Sequence, residues 1–170
     1  QFLQSSNILK YSYENHFIVG GGYSGNYSSF NARQPYRSYG NINYNVETAG
    51  NLMLGLAELF KFPTDEDGKY TLFKTRFAQF AKADVAFTYN QIFNESHRLV
   101  YHADLGVAVP YGNSQAVPFE KRYFAGGANS VRAFSARSLG PGSYYAGDGS
   151  YNFINHVGDV RLEANLEYRF

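Results

Sequence analysis

Apolar and polar residues alternate at every second position in six stretches of the chain, the pattern of strands with one apolar and one polar face. In the first, Leu9, Tyr11 and Tyr13 oppose Lys10, Ser12 and Glu14. From Phe17 to Ser29, Phe17, Val19, Tyr23 and Tyr27 alternate with small or polar residues such as Gly20, Gly22, Ser24 and Asn26. Between Tyr39 and Thr48, Ile42, Tyr44 and Val46 lie opposite Asn41, Asn43, Asn45 and Glu47. Then Ala83, Val85, Phe87 and Tyr89 oppose Lys82, Asp84, Ala86, Thr88 and Asn90, and Tyr101, Leu105, Val107 and Val109 oppose His102, Asp104 and Gly106. The last run sets Leu162, Ala164, Leu166, Tyr168 and Phe170 against Arg161, Glu163, Asn165, Glu167 and Arg169. The pattern predicts antiparallel strands near 8–14, 17–29, 39–48, 81–91, 98–109 and 160–170.

The connections differ greatly in length. Asn94-Glu95-Ser96 reads as a tight turn and Phe30 to Pro35 as a modest one. About thirty residues separate the third and fourth strands and about fifty the fifth and sixth, against a usual loop of roughly 4–6. Leu52, Leu56, Leu59 and Phe60 fall at helical spacing and predict a short helix near 51–61, read as a packing element inside the loop rather than a membrane-binding one. Pro63 and Asp67-Gly68 then end it with turn chemistry. No internal repeat, linker or second domain is visible.

Composition changes the picture in one respect. Of 170 residues, 16 are Tyr and 15 Phe, whereas charged residues make 17%, below the roughly 25% of ordinary soluble domains. The mean hydropathy is −0.39, yet a chain that is polar on average can live in lipid if polar and apolar positions alternate. Aromatics crowd the apolar face near strand ends, and Asn, Asp, Glu and Arg line the other. Composition and periodicity alone leave two architectures open, a soluble antiparallel sheet and a barrel with lipid outside and water inside. The net charge of +1 argues against nucleic-acid binding by bulk charge. No stretch approaches the roughly 18 apolar residues of a membrane-spanning helix, and the N-terminus shows no signal-peptide pattern, so any such segment is expected to lie outside this chain. The absence of cysteine removes disulfides, thiol nucleophiles and Cys-based zinc sites.

Gly20, Gly22 and Gly25 spell G-x-G-x-x-G, but the nucleotide fingerprint needs a helix opening on it. Here the strand continues through Tyr23 and Tyr27, so glycines relieving crowding in a curved strand are the reading. His16, His97, His102 and His156 show no ligand spacing. Asn26-Tyr27-Ser28 and Asn94-Glu95-Ser96 are glycosylation acceptors by pattern only. No nucleophile elbow, phosphate loop or paired acid appears. The expectation is a protein that performs no bond chemistry and carries no cofactor or metal.

One motif remains. The second long loop contains Pro118-Phe119-Glu120-Lys121-Arg122-Tyr123-Phe124-Ala125-Gly126-Gly127-Ala128-Asn129-Ser130-Val131-Arg132-Ala133-Phe134, and the chain leaves it at Gly158-Asp159-Val160-Arg161-Leu162-Glu163. The pair resembles outer-membrane assembly factors of the BamA/TamA type, the bacterial surface antigen family, which includes two-partner secretion transporters. The similarity is specific around Phe124–Phe134 and Gly158–Phe170, and over Phe17–Gly112 it is one of barrel-strand character.

The resemblance implies an all-β fold of antiparallel transmembrane β-barrel strands, here a partial barrel of about six, with long loops and one short loop helix. Residues 1–170 would be a fragment of one outer-membrane barrel domain, with the loop 112–158 folded back into the lumen. Val131, Arg132, Ala133 and Phe134 would form the docked tip, and Gly126 and Gly127 would let the backbone turn sharply or approach a strand closely. Arg132 has the planar donor fork that engages carboxylates bidentately, which lysine lacks. The family usually has glycine where Ala133 stands, a substitution that costs about 1 kcal/mol if the site needs positive φ. It also associates the acidic partner of the arginine with the strand after 160–170; Asp159, Glu163 and Glu167 are the acids available here.

Bacterial barrels use roughly eight strands or more, so the chain reads as the middle-to-late part of a barrel of about sixteen. The alternative is that Leu166-x-Tyr168-x-Phe170 is a C-terminal targeting signal. The function implied is part of an outer-membrane barrel that inserts outer-membrane proteins or translocates polypeptides. Its partners would be outer-membrane lipid, unfolded outer-membrane protein clients and accessory assembly proteins, with no nucleic acid. The alternative function is a passive outer-membrane channel or surface antigen or adhesin whose loop merely plugs the pore.

Overall fold

A computed structural model describes residues 15–65, 67–73, 75–128, 130–140 and 156–170. Two-residue periodicity becomes one sheet of five long strands: β2 (Gly20–Ser28), β3 (Tyr39–Ala49), β6 (Phe80–Ile92), β7 (Arg98–Pro110) and β8 (Val160–Arg169). They lie in the order β2-β3-β6-β7-β8, and every neighbouring pair is antiparallel. Between β3 and β6 the chain forms α1 (Asn51–Phe60) and two short strands, β4 (Thr71–Leu72) and β5 (Thr75–Phe77). The run predicted over 8–14 lies outside the described residues.

The boundaries match the alternation within a residue or two, with one exception. The stretch expected to run unbroken from 17 divides, and β1 (His16–Phe17) leaves the large sheet to pair with β5 in a small second sheet. That two-residue pairing is parallel, unlike everything predicted. The cause is a pair of backbone bonds reaching the segment before β2: Ala78 N–H donates to Phe17 O at 2.8 Å and Gly50 N–H to Val19 O at 2.8 Å. The rim of the sheet thus captures residues 16–19 before the main ladder starts.

Register places the alternation in columns. Tyr23, Val46 and Ala83 lie across β2, β3 and β6, as do Ser24, Asn45 and Asp84 on the opposite face. On β7 and β8, Leu105 faces Leu162 and Asp104 faces Glu163. One face of the whole sheet is therefore apolar and the other polar. Aromatics gather where the short turns lie: Phe30 against Tyr39 at 5.0 Å, Tyr89 near Tyr101, and His97 stacked on Tyr168 at 5.9 Å. The β6–β7 turn is closed by Asn94, whose Oδ1 accepts from Ser96 N–H at 3.0 Å and His97 N–H at 2.8 Å. Gly25 makes room for the Tyr44 ring, which is what the glycine-rich pattern accomplishes.

Both long connections leave the same end of the sheet and form two cores. Ala49, Ala78, Phe80, Ala108, Val117 and Tyr123 pack together on the polar face of the sheet near its rim. Met53, Ala57 and Phe77 form a second cluster with Phe62, Tyr70 and Leu72. Between them lies a buried polar knot. The Gln79 carboxamide oxygen accepts from Asn113 N–H at 2.9 Å, and Asn113 Nδ2 donates to Phe77 O at 3.1 Å and Tyr70 O at 3.0 Å. Buried polar groups cost free energy unless paired, so this network locks the 111–114 turn onto the 70–79 segment. No described helix is long and apolar enough to cross a membrane, which leaves crossing by strands untouched.

Candidate functional site

The loop after β7 runs onto the polar face of the sheet. Val117 is buried, Pro118 opens a 3-10 turn over Phe119–Lys121, and Lys121 forms an ion pair with Glu47 of β3. Lys82 Nζ donates to Lys121 O at 3.2 Å. The next residues anchor the loop on the strands. Arg122 pairs with Asp159 at 2.8 Å. The Tyr123 hydroxyl donates to Asp84 Oδ1 at 2.6 Å, while Asn45 Nδ2 donates to the other Asp84 oxygen at 3.2 Å. Its ring lies on Gly106, where a Cβ would fall 2.6 Å from the ring carbon Cζ. Lys82 Nζ sits 4.2 Å above the ring centroid and the Arg161 guanidinium 5.4 Å from it, both in cation–π range. Arg161 is in turn ion-paired with Asp104. Two lysine or arginine cations, two aspartates and a tyrosine thus form one cluster on the polar face, in which the buried Arg161 Nε alone is left without a hydrogen-bond partner among the described residues.

Past this anchor the loop doubles back on itself. Tyr123 and Gly158 exchange backbone hydrogen bonds at 2.9 and 2.8 Å, which ties the two ends of the loop together. Ala125 bridges Leu139, and the Arg137 guanidinium lies between the Phe119 and Phe124 rings at 4.6 and 4.9 Å. Gly126 and Gly127 have φ of 93° and 98°, a region L side chains avoid. A Cβ at Gly126 would also fall 2.3 Å from Ser135 O. The glycine pair therefore supplies the sharp turn expected of it, and the close approach it allows is to the Ser135 carbonyl of the same loop, not to a neighbouring strand.

The Val131–Phe134 tip is closed by Gly127 N–H to Phe134 O at 2.9 Å and Phe134 N–H to Val131 O at 3.1 Å. Ala133 is outside the left-handed region, so its methyl group costs nothing there. The Glu163 carboxylate accepts from the Ser130 hydroxyl at 2.7 Å and from Asn165 at 3.0 Å. Arg132 is exposed and forms no hydrogen bond or ion pair with a described residue. It lines a cleft of about 610 Å³ between tip and sheet, together with Val131, Ala133, His102, Glu167 and Arg169, and its charge is felt at Glu167. Glu167 is held by Arg169 at 2.8 and 3.0 Å. Phe134 is exposed.

The three acids thus go to different partners: Asp159 to Arg122, Glu163 to Ser130, and Glu167 to its strand neighbour Arg169. Sequence reasoning did not single out Tyr123, Asp84, Asp104, Arg161 or Gly106 as an anchor. Its signal was present in part, because alternation puts Lys82, Asp84, Asp104, Gly106 and Arg161 on one face, with a glycine where a side chain would be expected.

The loop covers the polar face, while the apolar face of the five long strands is left uncovered by the described residues. Tyr23, Ile42, Val46, Val85, Phe87, Leu105, Leu162 and Leu166 are all exposed. Contiguous apolar surface of this extent is foreign to a water-soluble monomer.

Comparison with known proteins accords with this inversion. The Omp85 superfamily domain matches residues 21–170. The outer membrane protein assembly factor BamA of Neisseria meningitidis serogroup B is 31% identical over 87 residues, which are 49% of this chain and 10% of that protein. The matched stretch is thus a tenth of the relative. With the family match extending over all five long strands and the docked loop, this chain belongs to the Omp85 superfamily.

Proposed function

We propose that this chain is part of an outer-membrane β-barrel that inserts outer-membrane proteins or passes polypeptides across the membrane. The observation that carries the reading is the inverted sheet: polar side chains are covered by a loop of the same chain, and apolar ones are bare. In a membrane this is the favourable arrangement, with lipid against the apolar face and the loop within the lumen. Its unfolded clients and accessory proteins are those the similarity to BamA suggests. No covalent step is assigned to it.

The role of the loop follows from its attachments. Tyr123 and the Asp84/Asp104/Arg161 cluster fix its base, and Ser130 on Glu163 fixes one side of the tip. Arg132 is thereby held over the inward face with its donor fork open toward the cleft. An acid from a following strand would complete a bidentate pair there. The loop then braces the barrel wall while neighbouring strands move or part for a client.

The test is an assembly measurement in cells that depend on the intact protein, scored as folded outer-membrane barrels in the membrane fraction. Arg132→Ala and Arg132→Lys are both expected to impair assembly, since each loses the fork. Full activity with lysine would reduce the role of Arg132 to charge alone. Full activity with both, and unaltered assembly on depletion of the protein, would favour a passive channel or surface adhesin.

A further inference from the structure

Helix α1 is apolar on nearly every side: of Asn51-Leu-Met-Leu-Gly-Leu-Ala-Glu-Leu-Phe60, only Asn51 and Glu58 are polar. One side, with Met53 and Ala57, is buried against Phe77 and its neighbours. The other leaves Leu52 65%, Leu59 72% and Phe60 67% exposed. A helix that is apolar all round needs burial on all sides, and the protein provides it on one.

The place of the helix says what covers the rest. It starts two residues after β3 ends, at the rim from which both long connections leave. Asn51 Nδ2 donates to the hydroxyl of Thr48 at 2.9 Å, and Thr48 belongs to the apolar-face set of β3 with Tyr44 and Val46. Tyr111, just past the end of β7, donates its hydroxyl to Asn51 Oδ1 at 2.8 Å. Consecutive residues on the way into β6 divide between the two cores, Phe77 packing with α1 and Ala78 with the lumenal cluster. The helix therefore sits at the rim on the side of the apolar face, next to the end of its apolar band, and not over the polar face. Phe73 adds a second observation in the same connection: it follows Leu72, which packs against the helix cluster, and is 84% exposed at φ 51°. A bulky residue in that conformation is strained, and water gives no return for holding an aromatic ring there. Lys61 is exposed at the end of the helix.

We infer that α1 is an interfacial anchor, lying on the lipid surface at the rim of the long connections with Leu52, Leu59 and Phe60 inserted beside the strand band. The inference rests on the lipid-facing band of the proposed function and extends it past the strands.

The test uses the intact protein, freed of other cysteines and reconstituted in phosphatidylcholine–phosphatidylglycerol vesicles containing nitroxide-labelled lipid. An environment-sensitive fluorophore is attached at Leu59→Cys, Phe60→Cys, Glu58→Cys or Leu166→Cys, and gel mobility before and after heating confirms folding of each. Quenching by lipid is expected to be several-fold stronger at 59 and 60 than at 58, with blue-shifted emission, and strong at 166. Water-like emission without quenching at 59 and 60, beside a quenched 166, would overturn the inference and leave the band intact. Shielding from both water and lipid at 59 and 60 would also overturn it, in favour of a second copy or a partner protein. An unquenched 166 would overturn the lipid-facing band itself.

Discussion

The Tyr123 ring occupies the space that a side chain at position 106 would need, so two residues seventeen apart in the chain are specified together. Gly106→Ala is expected to lift the ring from β7 and release the loop base, which a protease accessibility assay of the folded barrel would register as faster cleavage within 111–140. Tyr123→Phe keeps the ring and removes only the hydroxyl donated to Asp84. Losing one such bond to a charged acceptor costs about 1.5–3 kcal/mol, softened here because Asn45 still donates to the same carboxylate. The phenylalanine variant should therefore keep its loop docked in the same assay while its unfolding midpoint in urea falls. A Gly106→Ala protein as protected as the wild type would show that the ring contact is incidental. At the turn leading into the tip, Gly126→Ala faces both the left-handed φ and the Ser135 carbonyl, so its cost should exceed that of Ala133→Gly, whose position demands no special backbone.

Among the elements, β8 offers the clearest test of facing. Leu166 is exposed on the apolar face, whereas Glu167 points to the cleft and is held by Arg169. An arginine on the lipid face near mid-membrane costs roughly 2–4 kcal/mol. Leu166→Arg should thus reduce folded barrel in membranes much more than Glu167→Gln, and equal tolerance would refute the facing. The 61–77 connection carries a pH dependence of its own. Asp65 accepts from the Lys69 and Asp67 backbone amides and is ion-paired with Arg76. Partial burial pushes its carboxyl upward, but the Lys69 hydrogen bond and the Arg76 hydrogen bond and charge outweigh it and hold the group below the ordinary 3.8. A carboxylate lowered by folding contributes stability that is present above its unfolded value and lost as pH falls through its folded one. Protection of the Asp67 and Lys69 amides, taken relative to their intrinsic exchange at each pH, should accordingly hold above the ordinary 3.8 and fall as pH drops below it. In Asp65→Asn the protection should be weaker throughout and lack that acid step.

For the whole molecule, the loop has a structural base and a separable tip. Tyr123 and Gly158 pair across its neck, upstream and downstream of everything between them. Replacing 125–156 with a short Gly-Ser linker should leave the core of Phe80, Val117 and Tyr123 on the polar face in place. The expected outcome in the intact protein is a barrel that still folds, seen by heat-modifiable gel mobility, but assembles clients poorly. Failure to fold would make the tip part of the folding core and not a brace added to it.

The alternation of residues such as Arg161-Leu162-Glu163 is enough to locate strands and assign their faces, because successive side chains of any strand must point to opposite sides. Helical spacing located α1 for the same local reason, and the glycine pair announced the turn at 126–127. The sequence could not decide what covers each face. Lys121 reaches Glu47 across 74 residues and Tyr123 reaches Asp84 across 39, and no periodicity records which of several acids on one face a distant loop will meet. Glu163 takes Ser130, and Glu167 keeps its own neighbour, because the loop is fixed on the sheet by Lys121, Arg122 and Tyr123 together. The division of the 17–29 run had the same origin, since Gly50 and Ala78 offer their amides to it from the far side of the rim. Local stereochemistry thus determined the strands and their two faces. Only tertiary packing decided that the polar face is the covered one and that α1 leaves an apolar side bare, because burial depends on contacts between segments far apart in the chain.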